Sequence, residues 1–120
     1  MINITLDNIK FVGKNKKYIK SRTTGRLILS PEYRAFVQEM VYKFISAKNK
    51  HKYKTLKKSI SVMISMYTKK FDIDAIASSV LDAMQKAEII DNDLNIYTLL
   101  VHKCEYSENH LTVRAWEDKG

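Results

Sequence analysis

The stretch F-D-I-D-A-I-A-S-S-V-L-D-A-M-Q-K-A-E-I-I-D-N-D, residues 71–93, decides how the chain folds. Within it Ile76, Val80, Met84 and Ala87 recur every three to four residues, the spacing that aligns side chains on one face of a helix. A helix is therefore predicted from about Ala75 to Glu88, with Asp74 positioned to cap it. On its N-terminal side Ile60, Val62, Ile64 and Met66 occupy alternate positions, the period of a strand with one buried face. On its C-terminal side the loop I-I-D-N-D leads to a strand from about Asn95 to Glu105, a turn at S-E-N-H and a last strand through Leu111, Val113 and Ala115.

Working outward, Ile2, Ile4 and Leu6 alternate with polar residues and predict a short first strand. A basic segment follows, with seven Lys or Arg between Lys10 and Arg26. Its T-T-G centre, flanked by Y-I-K-S-R and R-L-I-L, reads as a hairpin turn in which Gly25 takes the positive φ angle. Ser30-Pro31-Glu32 is a helix start: a hydroxyl for free N–H groups, a proline where no N–H is needed, and an acid at the positive dipole end. That helix is predicted to run to about Ala47, with Tyr33, Phe36, Val37, Met40, Val41, Phe44 and Ile45 as its apolar stripe. A basic loop, N-K-H-K-Y-K-T-L-K-K at residues 49–58, connects it to the next strand. The order β, β-hairpin, α, β, α, β, β, without repeats or linkers, predicts one α+β domain over residues 1–120, a mixed β-sheet packed with two main helices.

Composition narrows the function classes. In 120 residues, 45% hydrophobic content suffices for a core without disulfide staples. Cys104 is the single cysteine, which excludes an intrachain disulfide, argues against a thiolate metal site and reads as a half-buried strand residue in a reducing compartment. His51, His102 and His110 have no ligand-like spacing, so no zinc site is expected. No apolar run approaches the roughly 18 residues that span a bilayer and no secretory signal opens the chain, so a soluble, cytoplasmic protein without membrane contact is expected.

Charge is distributed unevenly around a net +8. Residues 1–58 hold 15 Lys and Arg against three acids, whereas residues 59–120 hold six bases and ten acids. The basic half suits a polyanion, and nucleic acid is the natural one because Lys and Arg gain affinity by releasing phosphate counterions. A merely solubilising surface is the alternative. The candidate phosphate contacts are Lys14, Lys16, Lys17, Lys20, Arg22, Arg26, Lys52 and Lys54, together with Lys69 and Lys70. Tyr18 is placed either to pack or to stack on a splayed base.

Against this basic background, residues 71–93 crowd together five aspartates. Ordinary capping and solvation would explain them; so would a cage for a divalent cation beside a polyanion. In an extended segment Asp72 and Asp74 would project from one face, and two such carboxylates repel unless a cation lies between them. Mg²⁺, with Mn²⁺ as a substitute, suits carboxylate and phosphate oxygens. A third acid from residues 91–93 would complete a site able to polarise a phosphodiester.

The run D-I-D-A-I-A-S-S-V-L-D-A-M…K-A-E-I-I-D-N-D-L-N-I resembles the motif D-x-D-N-x-x-K-x-x-x-D-A-L, acidic pair and strand of the RusA-type Holliday junction resolvases. The early strand, the basic N-K-K-Y segment, the T-G hairpin and the helix opening S-P-E-Y-R-A-F are similar in order as well. The resemblance implies a RusA-like fold, a homodimer, branched DNA such as a four-way junction as substrate, and Mg²⁺ with no small-molecule cofactor. It also implies a phage or prophage protein in a bacterial host. It makes Asp72, Asp74 and Asp93 the catalytic, metal-binding carboxylates; Asp82 also matches a family acid, to which packing along the helix gives a structural or dimer role. Two positions depart from the pattern: Ala75 stands where the family carries Asn, and Ser78 where it carries Lys. A neutral Ser78 in place of a cation would forfeit on the order of 3 kcal/mol of transition-state stabilisation, about a hundredfold in rate. Lys69, Lys70 and Lys86 are the candidates to replace that charge.

A helix over residues 75–88 is roughly 20 Å long and carries the chain away from Asp72 and Asp74, and the five residues back to Asp93 reach at most about 18 Å. Asp93 is therefore expected to meet Asp72 and Asp74 across a twofold dimer. The leading expectation is a Mg²⁺-dependent endonuclease for branched DNA. The alternative is a RusA-like DNA-binding or regulatory protein with impaired catalysis, as Ala75 and Ser78 permit, and a weaker third is a basic accessory protein whose acids only cap helices.

Overall fold

Alternating apolar residues make the strands of a computed structural model that describes residues 1–68, 71–104 and 109–118, with the backbone alone at Lys14. Strand β1 (Ile2–Leu6) buries Ile2, Ile4 and Leu6 and pairs antiparallel with β6 (His110–Glu117), Ile2 opposite Ala115 and Leu6 opposite Leu111. Strand β6 pairs antiparallel with β4 (Ile60–Tyr67), and β4 pairs parallel with β5 (Ile96–Cys104), giving the order β1-β6-β4-β5. The basic segment forms a separate hairpin of β2 (Tyr18–Lys20) and β3 (Leu27–Leu29). Its turn closes through Gly25 at φ 71°, whose N–H donates to the Ser21 carbonyl at 2.9 Å.

Two helices cover the sheet face that carries Val62, Ile64, Met66, Leu111, Val113 and Ala115, all buried. Helix α1 (Pro31–His51) starts as predicted. Ser30 Oγ accepts from Tyr33 N at 3.0 Å and donates to the Lys16 carbonyl at 2.6 Å, and Ser30 N donates to the Lys17 carbonyl at 2.8 Å. One buried serine thus caps the helix and anchors the base of the hairpin to it. The helix runs four residues past the predicted end at Ala47 and stops at Lys52, which takes the left-handed conformation at φ 54°. Of the predicted stripe, Tyr33, Phe36, Val37, Met40 and Phe44 are buried, Val41 partly so, and Ile45 is exposed.

Helix α2 (Ile73–Lys86) is the crossover that parallel strands β4 and β5 require. Ile76, Val80 and Met84 are fully buried and Ala87 nearly so, and each large apolar side chain contributes about 1.5–3 kcal/mol by leaving water. Its boundaries lie two residues earlier than predicted, with Asp72 rather than Asp74 at the cap position. After Lys86, Glu88 takes the left-handed conformation at φ 59° and Ile89 N donates to the Met84 carbonyl at 2.9 Å, reversing the chain. Buried Ile90 then bridges Leu56, and a 3-10 turn (Asp93–Asn95) feeds β5. Lys69, Lys70 and the first half of the predicted turn at 107–110 lie outside the described residues.

The loop before β4 is tied to the end of β6 by Glu117, whose Oε2 accepts from Lys57 N at 2.8 Å and Lys58 N at 2.9 Å. Those two amide donors, first Lys57 and then Lys58, hold the carboxyl below the ordinary value of 4.5. A carboxyl depressed by folding stabilises the native state above its unfolded value, and that contribution fades as pH falls through the lowered folded value. Glu117→Gln therefore lowers the melting temperature at pH 7, and its difference from wild type shrinks as melts are repeated at pH values falling below 4.5.

Candidate active site between the second helix and the basic hairpin

The D-I-D segment enters the helix instead of remaining extended. Asp72 is the N-cap and Asp74 the second helical residue, and two helical positions are rotated by about 200°, so the carboxylates diverge. Asp72 borders a cavity of about 320 Å³ with Lys10, Asn15, Lys16, Glu32 and Phe71. Phe71 is seated against Phe11, with ring centroids 6.0 Å apart, and against Gly13, where an added Cβ would meet its ring at 3.0 Å. The Asp72 side chain makes no capping hydrogen bond, while Asp74 Oδ1 accepts from Ala75 N at 2.9 Å.

Asp74, Ser78 and Asp82 follow one another at four-residue intervals and form an exposed stripe along α2. Asp93 approaches this stripe because the 3-10 turn doubles back over the helix, with Asp93 N donating to Gln85 Oε1 at 2.9 Å. Asp74, Ser78 and Asp93 border a groove of about 430 Å³ whose floor includes Leu81, Leu99 and Val101. Ser78 and Asp93 also border an adjoining polar cavity of about 330 Å³ with Lys17, Tyr18, Leu29, Tyr33 and Asp82. The two spaces meet at Ser78 and Asp93, making one trough from the hairpin to β5.

The fold therefore brings Asp74 and Asp93 to one trough within a protomer, where they were expected to meet only across a dimer, because the chain doubles back over the helix; it leaves Asp72 at another cavity. Among the described residues, no three Asp, Glu, His or Cys side chains gather at metal-binding spacing. Asp74 and Asp93 have the hard oxygen chemistry that Mg²⁺ takes, but among the described residues the third acid of the trough, Asp82, does not gather with them at metal-binding spacing. Asp91 is occupied elsewhere: both its oxygens accept from Asn95 Nδ2, at 3.1 and 3.2 Å. Asp82 pairs with Lys86 at 3.2 Å, so that lysine neutralises a neighbour on its own helix.

The basic residues separate into two groups. Lys16, Lys17, Lys20, Arg22 and Arg26 sit on or beside the hairpin, next to the trough. Lys52 and Lys54 lie past the far end of the 21-residue α1, roughly 30 Å along the helix axis. Two features escaped the sequence reading. Lys17 belongs to the trough, which no local spacing signals. Strand β5 is largely exposed along its length, and here consecutive apolar Leu99, Leu100 and Val101 did break the strict alternation of a one-faced strand.

The fold is thus an α+β layer that sets a basic hairpin beside a carboxylate-lined trough. The chain belongs to the RusA family: the family model Endodeoxyribonuclease RusA matches residues 8–115, which takes in everything from the hairpin through most of β6. The family is one of endodeoxyribonucleases and points to Holliday junction resolution. No curated protein matches the chain. No helix among the described residues is long and apolar enough to cross a membrane.

Proposed function

We propose that the protein is a homodimeric, Mg²⁺-dependent endonuclease that binds four-way or otherwise branched DNA and hydrolyses phosphodiesters near the branch point. The observation that carries this reading is the trough itself, where Asp74 and Asp93 stand next to the basic hairpin through Lys17 and Tyr18. The hairpin cations hold phosphates by shape and charge, with little readout of bases. Bound Mg²⁺ would supply charge neutralisation and a more acidic water. Asp74 and Asp93 would hold it, with Asp72 as the third carboxylate.

The sheet offers a way to complete that set. Strand β5 is an edge strand, and Leu94, Tyr97 and Leu100 on and before it are 82%, 75% and 50% exposed. A bare apolar edge is an invitation to pair with another strand. Antiparallel pairing of two β5 strands about Leu100, the central residue, would bring the start of one strand beside the end of the other. Cys104, at that end, is in register with Tyr67 of β4, from which the chain leads to Asp72 and Asp74. By the same symmetry the partner subunit's Asp72 would approach Asp93, just ahead of β5, and complete the set begun by Asp74 and Asp93.

Incubating a labelled four-way junction with Mg²⁺ or Mn²⁺, beside an Asp74→Asn control, tests the proposal. Cleavage that requires Asp74 supports it. Tight binding without a nick selects the second reading, a RusA-like DNA-binding protein with impaired catalysis, which the neutral Ser78 in the trough favours. Binding itself is expected to weaken steeply with salt. Engagement of four or five hairpin cations per protomer gives a slope of about −4 in log affinity against log salt, a loss of roughly 10²-fold or more between 50 and 200 mM. Affinity that hardly changes over that range would remove the hairpin from the DNA-binding surface.

A further inference from the structure

We infer that Lys17 is the catalytic cation of this chain, donating to a non-bridging oxygen of the scissile phosphate from the hairpin side of the trough. The inference rests on the nuclease reading and deepens it. Phosphodiester hydrolysis concentrates negative charge on the phosphoryl oxygens, so a preorganised donor aimed at them accelerates the reaction. On the α2 side the trough presents Asp74, Ser78 and Asp82, with Asp93 opposite, which are three acids and a neutral hydroxyl. Among the described residues Lys17 is the one cation bordering either part of it.

Its mounting favours this role. The Lys17 carbonyl accepts from Ser30 N at 2.8 Å, which fastens the backbone to the start of α1. The ammonium lies 4.9 Å from the centroid of the Tyr33 ring and 5.4 Å from that of Tyr18, within the range at which a ring face attracts a cation. Tyr33 is immobilised in turn, its hydroxyl 3.0 Å from the buried Ser79 Oγ. No carboxylate among the described residues forms an ion pair with Lys17. Two aromatic rings orient the ammonium without consuming its hydrogen-bond donors, as a group awaiting an anion requires.

Lys17 transfers no proton in this scheme. A water oxygen forms the new bond to phosphorus and releases its proton to solvent; the bond from phosphorus to the leaving strand breaks, and the leaving oxygen takes up a proton from solvent. The ammonium stays charged throughout.

The test compares Lys17→Met, Lys17→Arg and the double variant Lys17→Met/Ser78→Lys in the full chain. Two readouts are used: single-turnover cleavage of a four-way junction at saturating protein, and the salt dependence of junction binding without divalent metal. Lys17→Met is expected to slow cleavage about a hundredfold and to reduce the salt slope by about 0.9 per protomer. Lys17→Arg keeps the slope, and a lysine introduced at Ser78 recovers at least tenfold of the lost rate from the opposite wall of the trough. Unchanged cleavage by Lys17→Met at saturation overturns the inference, whether or not its salt slope falls, because Lys17 would then be a backbone contact or a packing residue. A wild-type chain that binds the junction and never nicks it overturns the nuclease reading and this inference together. Nicking that requires Asp74 but not Lys17 overturns this inference alone.

Discussion

An equal mixture of Asp72→Asn chains and Asp74→Asn chains is expected to regain junction cleavage that neither variant has alone. Removing one metal-holding carboxylate forfeits several kcal/mol of charge stabilisation, on the order of a thousandfold in rate, so each variant homodimer is effectively silent. In a dimer whose sites combine Asp74 and Asp93 of one protomer with Asp72 of the other, a mixed dimer holds one intact site and one doubly damaged site. Random exchange makes half the dimers mixed, and the mixture should reach about a quarter of the wild-type rate. The divergence of Asp72 from Asp74, and the absence among the described residues of a third acid at metal-binding spacing with Asp74 and Asp93, are what lead to this expectation. Wild-type-like subunit exchange without any rescue would place the working acids within a single chain. Gel assays of mixed and unmixed variants on one labelled junction distinguish the two.

The second large effect is expected from Leu100→Asp. Leu100 is half exposed at the middle of the edge strand β5. It points to the sheet face opposite the one that carries Leu99 and Val101 into the trough. In a twofold pair centred on this residue the two aspartates would oppose each other, and like charges directly across a strand pair repel. Each copy would also lose a buried leucine, about 1.5–3 kcal/mol apiece. Together these weaken the dimer by roughly a hundredfold or more. Sedimentation should show monomers at concentrations where wild type is dimeric, and cleavage should be lost although no trough residue has changed. A monomeric wild type, or a dimeric variant with full cleavage, would exclude β5 as the interface.

Much of the architecture was legible because it is written in local periodicity. Ile2, Ile4 and Leu6, the even positions of β4 and the α2 stripe of Ile76, Val80 and Met84 were all read from spacing, and all are buried. Ser30 and Gly25 were read from their chemistry, the first as a cap and the second as a left-handed turn residue, and each has that role. The errors fell at Ile45, which is exposed, and at ends. Helix α1 outran Ala47 because Lys48, Asn49 and Lys50 are solvated helix residues that give no apolar signal, and α2 began at Ile73 because its first turn carries no buried side chain before Ile76.

The candidate site was legible in part. Asp74 and Asp93 were singled out by composition, spacing and family resemblance, and the fold sets them on one trough. Whether Asp72 would join them depended on one backbone decision, helix or extended at Ile73, which propensity leaves open and the packing of Ile76 and Val80 resolves. Grouping Lys52 and Lys54 with the hairpin was natural on sequence, since about 25 residues separate them, but a continuous helix converts that interval into about 30 Å.

By itself the sequence determined the order and kind of the elements, the core stripes, the basic hairpin and the acids of residues 71–93. Each of these depends on interactions between residues near one another along the chain. Only the tertiary structure decided that β5 lies at the sheet edge, that Asp93 folds back toward Ser78, and that Lys17 stands between two tyrosine rings facing both. Those juxtapositions are selected by which buried surfaces fit together, and no local periodicity signals them.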